Sequence, residues 1–409
     1  MTRPGAVDLR EINAADVYIG NDPAARLSRE RGDTVSFDYL ADQDLSAGNL
    51  RARSVSWSLL RSNEYPLRTT GGAVPAFFAG LLPEGVRLGV VTSSTKTSAD
   101  DHFTLLLAIG ADTTGNVRVY PSGAEPVRPD PMFNPQLDND FHAVFTRLTG
   151  SVEADPVGLA GVQPKVSAGM LSTPARTPSG AAILKLNPAS YPRLVENEHF
   201  FMTMASACGL RVANTTLLHD SHGRSALLVD RFDRAAGEPI AQEDACQITD
   251  VYPASKYRIK TEAALVNLGE ACARGGGSRV AAIAELFRTV VFSWLIGNGD
   301  LHGKNLSIFS PDGVWQPTPA YDLLCTQPYA GWRDPMALSL FGRSNKLTRN
   351  HFVDSGERLG LRPRATNAMI DSLVDAAREW PDRCGEIGFD SKQTELLARM
   401  LRARIKSLL

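Results

Sequence analysis

Ile283, Leu286, Phe287, Val290, Val291, Trp294 and Leu295 recur at i, i+3, i+4 and i+7, and their stripe runs directly into Asn298-Gly-Asp-Leu-His-Gly-Lys-Asn305. Such spacing predicts a helix with one face buried in a core. Gly297 stands where a helix of this kind ends. The polar loop is therefore anchored at its start by buried structure. Its two glycines keep it tight while it presents Asp300, His302, Lys304 and Asn305. Leu306-Ser-Ile-Phe309 predicts a short strand and Pro311-Asp-Gly313 a turn. Thr318-Pro-Ala-Tyr-Asp-Leu323 then supplies a second acid, Asp322.

Phosphoryl transfer requires a carboxylate that orients the attacking hydroxyl and accepts its proton. It also requires hard oxygen ligands that hold magnesium on the phosphates. An Asp followed five residues later by an Asn, with another acid one hairpin on, is the spacing protein kinases use for these groups. Asp300, Asn305 and Asp322 fill those places. Taken alone, the loop also fits a pair of solvated turns. The upstream segment Ala181-Ala-Ile-Leu-Lys-Leu186 tips the balance: it predicts a strand in which Lys185 faces away from Leu184 and Leu186. A lysine so placed lies on a solvent face or projects into a cleft as a phosphate ligand. Glu198, in a helix expected over 196–208 and ended by Gly209, is either a partner for Lys185 or a first-turn acid favoured by the helix dipole. Gly158-Leu-Ala-Gly-Val-Gln-Pro-Lys165 matches neither standard phosphate loop, although its N–H groups can form an anion nest. The triple glycine 275–277 reads as a flexible linker.

A chain of 409 residues exceeds what one core normally supports. Five prolines over 121–137 mark a first boundary. Three subdomains are expected: a β-rich one over 1–125, one with the glycine turn and lysine strand over 126–232, and a helical one over 233–409. Within the first, Val35, Phe37 and Tyr39 alternate as in a half-buried strand, and 75–85 forms an apolar knot suited to a short helix. Residues 225–230 predict another strand. A net charge of −2 gives no argument for direct nucleic-acid binding. Five cysteines without a CxxC pair read as buried apolar residues in a reducing compartment. No signal-peptide pattern opens the sequence, and the apolar run near 290–296 is too short to cross a bilayer. The expectation is a soluble, cytoplasmic protein.

At this point the residues resemble a family, the HipA-type toxin kinases of bacterial type II toxin–antitoxin pairs. The matching pieces stand in family order: the Phe-Phe…Leu-Leu-Pro-Glu-Gly block over 75–85, Phe103-Thr-Leu-Leu-Leu-Ala-Ile-Gly110, Gly115-Asn-Val-Arg-Val-Tyr-Pro121, Ala160-Gly-Val-Gln-Pro-Lys165, Ile183-Leu-Lys-Leu186, Glu196-Asn-Glu198, Val229-Asp-Arg-Phe-Asp-Arg234, Gln242-Glu-Asp244, the loop over 299–305, and Pro319-Ala-Tyr-Asp322. The resemblance implies an α+β, protein-kinase-like bilobal fold. A β-rich N-terminal coupling region and N-lobe would pack on an all-α C-lobe, with ATP between the lobes.

The resemblance further implies that Asp300 is the catalytic acid and that Asn305 and Asp322 are magnesium ligands. Lys185 would be the phosphate lysine, and Ala160, Gly161, Val162, Gln163, Pro164 and Lys165 the phosphate-covering loop. Asp230, Arg231 and Phe232 would form the adenine hinge, with His302, Gly303, Lys304 and Tyr321 lining the ATP site. It implies ATP and Mg2+ as cofactors and a serine or threonine of a translation protein, such as an aminoacyl-tRNA synthetase, as acceptor. The implied partner is a small helix-turn-helix antitoxin of the HipB type, through which DNA would mainly be contacted, with no membrane partner. One departure concerns Gly158, which stands where many relatives carry an autophosphorylated hydroxyl. A small-molecule kinase of the aminoglycoside or choline type also fits the catalytic loop, though the block over 75–121 argues against it; an alternative of another class is an inactive co-repressor bound to its antitoxin, which the presence of all the catalytic residue types argues against.

Overall fold

A computed structural model describes residues 8–41, 54–128, 133, 139–149, 170–177, 180–188 and 190–409. The alternation at Val35, Phe37 and Tyr39 belongs to an antiparallel sheet of five strands: β1 (Ala14–Ile19), β2 (Asp22–Glu30), β3 (Thr34–Tyr39), β4 (Leu67–Thr69) and β5 (Val117–Pro121). Their order is β4-β3-β2-β1-β5. The register sets Val17 opposite both Ala25 and Val119, and Leu27 opposite Phe37. Side chains alternate along each strand, so this register gathers the apolar ones onto one face. Helices α1 (Ala76–Leu81), α2 (Gly85–Thr95) and α3 (His102–Ile109) cover that face. Phe77, Phe78, Phe103, Leu105 and Leu106 complete the core. Burying each such side chain contributes roughly 1.5–3 kcal/mol. The apolar knot over 75–85 is thus α1 and the turn that leads into α2.

A second apolar cluster lies under a four-stranded antiparallel sheet in the order β6-β7-β9-β8. Its strands are β6 (Leu171–Thr177), β7 (Gly180–Leu186), β8 (Thr215–His219) and β9 (Ser225–Asp230), and α4 (Phe141–Thr149) packs with them. In β7, Ala182, Leu184 and Leu186 enter this cluster. Ile183 and Lys185 therefore point the other way, toward a cleft. The helix that follows, α5 (Leu194–Ala207), begins two residues earlier than the sequence suggests. Asn187 tethers its first turn by accepting from the Val195 N–H at 2.9 Å and donating to Glu196 at 2.9 Å.

The remainder is helical apart from two small β structures. One is a ribbon of β10 (Arg234–Ala235) and β11 (Glu238–Pro239). The other is a sheet in the order β12-β13-β14, formed by β12 (Gln242–Asp244), β13 (Ser307–Phe309) and β14 (Gln316–Pro317). The helices are α6 (Ala245–Ile248), α7 (Thr261–Arg274), α8 (Arg279–Ile296), α9 (Gln327–Ala330), α10 (Arg349–Arg358), α11 (Pro363–Ala377), α12 (Trp380–Arg383) and α13 (Ser391–Leu408). The apolar stripe lies on α8, which packs against α7, α11 and α13. Ser278 caps its start, and Gly297, at φ 75°, ends it.

The triple glycine is not a flexible linker. A Cβ at Gly275 would lie 2.3 Å from Trp315 Cδ1, and one at Gly277 would lie 2.2 Å from the Trp315 carbonyl oxygen. The Trp315 N–H donates to the Gly275 carbonyl at 3.1 Å. The α7–α8 turn is therefore wedged against the β13–β14 hairpin, and glycine is needed there for closeness of approach.

The N-terminal sheet unit is joined to the rest by buried polar contacts. Glu243 of β12 accepts from Ser56 Oγ at 2.6 Å and from the Trp57 N–H at 3.0 Å. Gln247 of α6 donates to the Phe77 carbonyl at 3.2 Å. Arg231 and Arg234 pair with Asp112 at 3.0 and 2.7 Å and with Asp233 at 2.9 and 2.8 Å. The Gly115 N–H donates to Asp233 at 2.9 Å.

Candidate active site

The loop after α8 is fixed by its own backbone. The Asp300 N–H donates to Asn298 Oδ1 at 2.8 Å, and the Gly299 N–H to Thr326 Oγ1 at 2.9 Å. Both loop glycines are dictated by space. A Cβ on Gly299 would lie 1.9 Å from Asp334 Oδ2, and one on Gly303 would lie 2.8 Å from Cys246 Sγ. Asp300 is buried, and Tyr257 donates to its carboxylate at 2.7 Å. Asn305 Oδ1 accepts from the His302 N–H at 3.1 Å, while its amide nitrogen donates to Asp322 at 3.0 Å.

Lys185 binds the loop to the strand sheet. Its Nζ lies 2.7 Å from Glu198 on α5 and 2.5 Å from Asp322. Burial alone would discharge the ammonium, but Asp322 and Glu198 together raise its pKa. Asp322 is held below the usual carboxylate range because the Lys185 charge outweighs its burial. Burial, assisted by the Asp322 charge, pushes Glu198 up to about 7 against the pull of Lys185. One cation thus serves two acids, and of the two it favours the ionised form of Asp322 more strongly. Asp322 has φ 60°, in the left-handed region that Asp tolerates better than most residues.

A cavity of about 390 Å³ opens between the sheet of β6 to β9 and the helical part. That is within the range of ordinary small-molecule sites. Lys185, Asp230, Arg231, Phe232, His302, Lys304, Asn305, Tyr321 and Asp322 line it. Gly303 sits behind the wall against Cys246, and Asp300 is likewise not among the lining side chains. Ala160 to Lys165, the stretch singled out as a phosphate loop, lies outside the described residues. In the hinge stretch, the Asp230 and Arg231 N–H groups already donate to the carbonyls of Asn214 and Ala181, each at 3.0 Å. The Phe232 ring lies 5.6 Å from Tyr321. Tyr321 in turn donates to the Lys304 carbonyl at 2.6 Å. Burial and the nearby Lys256 charge push His302 down to about 4, so the ring is neutral at physiological pH.

Several wall residues escaped the sequence reading. Glu84, Arg87 and Asp112 come from the N-terminal unit, and Lys256, Asp244 and Gln247 from the segments around α6. Glu84 makes ion pairs with Lys256 and, at 3.0 Å, with Lys304. Burial would raise its pKa, but the charges of Lys304 and Lys256 bring it down to about 2. Burial pushes Asp244 up to about 6 against the pull of Lys304. Glu84 carried one local signal, a charge inside an otherwise apolar block. Lys256 carried none.

Among the described residues no helix is long and apolar enough to cross a membrane. All five cysteines are buried and unpaired. Residues 157–380 match the model of the HipA-like C-terminal domain, and residues 15–120 that of the HipA N-terminal domain. Over 401 residues the chain is 31% identical to "Putative kinase Y4dM" of Sinorhizobium fredii, covering 91% of this chain and 90% of that protein. It is 29% identical to the serine/threonine-protein kinase toxin HipA of Shewanella oneidensis, covering 79% of each. A solved structure of HipA from Shewanella oneidensis, in complex with HipB and operator DNA, has the same fold. Its TM-score is 0.74 at 23% identity, covering 96% of this chain and 97% of that one. A family domain over more than half of the chain, preceded by the family's N-terminal domain, and a relative above 30% identity over nearly the whole length make this chain a member of the HipA-like kinase family.

Proposed function

We propose that the chain is an ATP- and magnesium-dependent kinase that phosphorylates a serine or threonine of a protein and acts as the toxin of a toxin–antitoxin pair. The observation that carries this reading is the junction of Lys185, Glu198, Asp322 and Asn305 at one cavity. In it Lys185 neutralises phosphate charge, and Glu198 keeps its ammonium in place. Asp300 lies outside the cavity lining, where it receives the acceptor hydroxyl and its proton. The phosphate-covering role belongs to residues 160–165, and the adenine contact to Phe232 and the carbonyls beside it. The three subdomains, 1–125, 126–232 and 233–409, then correspond to a coupling unit, an N-lobe and a C-lobe.

The donor set suits magnesium. Asp322 offers an ionised carboxylate. Asn305 offers an amide oxygen that accepts one bond, from the His302 N–H, and retains a second lone pair. Asn305 and Asp322 would hold the ion, which when bound neutralises charge on the phosphates. The protein acceptor is proposed from the family, a translation protein such as an aminoacyl-tRNA synthetase being the implied class. The regulatory partner is a HipB-like helix-turn-helix antitoxin. A net charge of −2 agrees with DNA being contacted mainly through that partner.

The test pairs two variants. Asp300→Asn is expected to keep ATP binding by calorimetry and to lose roughly 10²–10⁴-fold in phosphate transfer. Asp322→Ala is expected to abolish the magnesium-dependent part of the ATP-induced rise in Tm. Transfer at the wild-type rate by both variants sinks the reading.

A further inference from the structure

The phosphate end of the cavity contains a group that a two-lobed kinase would not supply from either lobe. Glu84 belongs to the N-terminal unit, at the residue preceding α2, yet its carboxylate reaches two lysines of the helical part. Lys304 lies in the catalytic loop beside Asn305. Lys256 precedes Tyr257, which donates to Asp300, and the Lys256 carbonyl accepts from the Gly303 N–H at 3.2 Å. Both lysines are largely buried, with side-chain exposures of 18% for Lys304 and 11% for Lys256. Two ammonium groups so close together repel unless an anion lies between them. All three residues line the same cavity as Lys185 and Asp322.

We propose that Glu84 is a positioning residue for phosphoryl transfer: it clamps Lys304 and Lys256, and through them it fixes the catalytic loop and makes the N-terminal unit part of the active site. The inference rests on the kinase reading above. The clamp explains why a unit with its own sheet and core is built against the catalytic loop: it supplies the counter-ion of that loop. Lys304 faces Glu84 from the start of α2, and Asp244 and Cys246 from β12 and α6. Lys256 contributes a second positive charge on the far side of Glu84.

The experiment compares the full-length wild type with Glu84→Gln, Glu84→Asp and Glu84→Gln/Lys256→Gln, using labelled ATP, magnesium and any phosphorylated acceptor, the chain itself included. Glu84→Gln is expected to lower kcat on the order of 10²-fold, while KM for ATP moves no more than a few-fold. Glu84→Asp is expected to recover most of the lost kcat, and the double variant to be no worse than the single one. The double variant also removes one of the two uncompensated charges, so the test survives if Glu84→Gln folds poorly. An unchanged kcat in folded Glu84→Gln, or a loss that Glu84→Asp does not recover, overturns the proposal while leaving the kinase reading intact. Wild-type transfer by Asp322→Ala under the same assay overturns the kinase reading instead.

Discussion

Lys185 sits between two acids, and the asymmetry of that arrangement has consequences. Glu198 is almost wholly buried, whereas Asp322 retains 23% exposure toward the cavity. Removing the ammonium leaves two acids that both lean on it without their shared counter-ion. Lys185→Met should therefore lower stability, by up to roughly 3–5 kcal/mol where a buried charge is left unpaired and by less as Glu198 takes up a proton. The loss should be smaller at pH 5 than at pH 8, and thermal melts at the two values measure it. That Lys185, Asn305 and Asp322 meet at one cavity follows from local spacing in the sequence. The strand period turned Lys185 away from Leu184 and Leu186, and the Asp-to-Asn interval set the loop. Lys256 could not be found this way, since its partner Glu84 lies 172 residues earlier and ion pairs over such separations leave no periodic trace.

At the level of elements, β7, β9, α5 and α8 follow from period and punctuation: β9 coincides with its expected limits, β7 and α5 differ from theirs by one or two residues, and α8 starts at Arg279, ahead of the apolar stripe that opens at Ile283. The turn between α7 and α8 shows where that logic stops. Three successive glycines suggest freedom when no partner is visible, but here the partner is Trp315, which itself stacks edge-on with Trp57 at 5.5 Å. Gly277→Ala is expected to destabilise by on the order of 1–3 kcal/mol, the usual cost of forcing atoms into a filled space. Gly223→Ala, at a turn where nothing lies within 4 Å, should cost about 1 kcal/mol, since only its positive φ opposes the change. Urea denaturation of the two variants separates these effects. Equal losses would remove the steric explanation.

Across the whole molecule, the sheet unit and the helical part are joined by groups whose charge state matters. Glu243 is buried, receives bonds from Ser56 and Trp57, and among the described residues makes no ion pair. Burial pushes its pKa up to about 8, with the neighbouring Asp244 charge adding to the rise. A carboxyl whose folded value exceeds its unfolded value of 4.5 contributes stability that is complete below pH 4.5. That contribution is lost as pH climbs through about 8. Glu243→Gln keeps an acceptor for Trp57 and cannot ionise. Its Tm should match or fall slightly below wild type at pH 5 and exceed it at pH 9. A difference independent of pH would show that Glu243 does not titrate across this junction.

The cavity wall has one further consequence, for selective inhibition. Most compounds that occupy the nucleotide cleft of a kinase meet surfaces drawn from two lobes only. Here Glu84, Arg87 and Asp112 bring a third body to the rim. A ligand with a cationic arm directed at Asp112 or a hydrogen-bond donor directed at Glu84 would address atoms that a two-lobed kinase supplies from neither lobe. The N-terminal unit therefore serves as a chemical address by which this enzyme can be distinguished from kinases that share its central machinery.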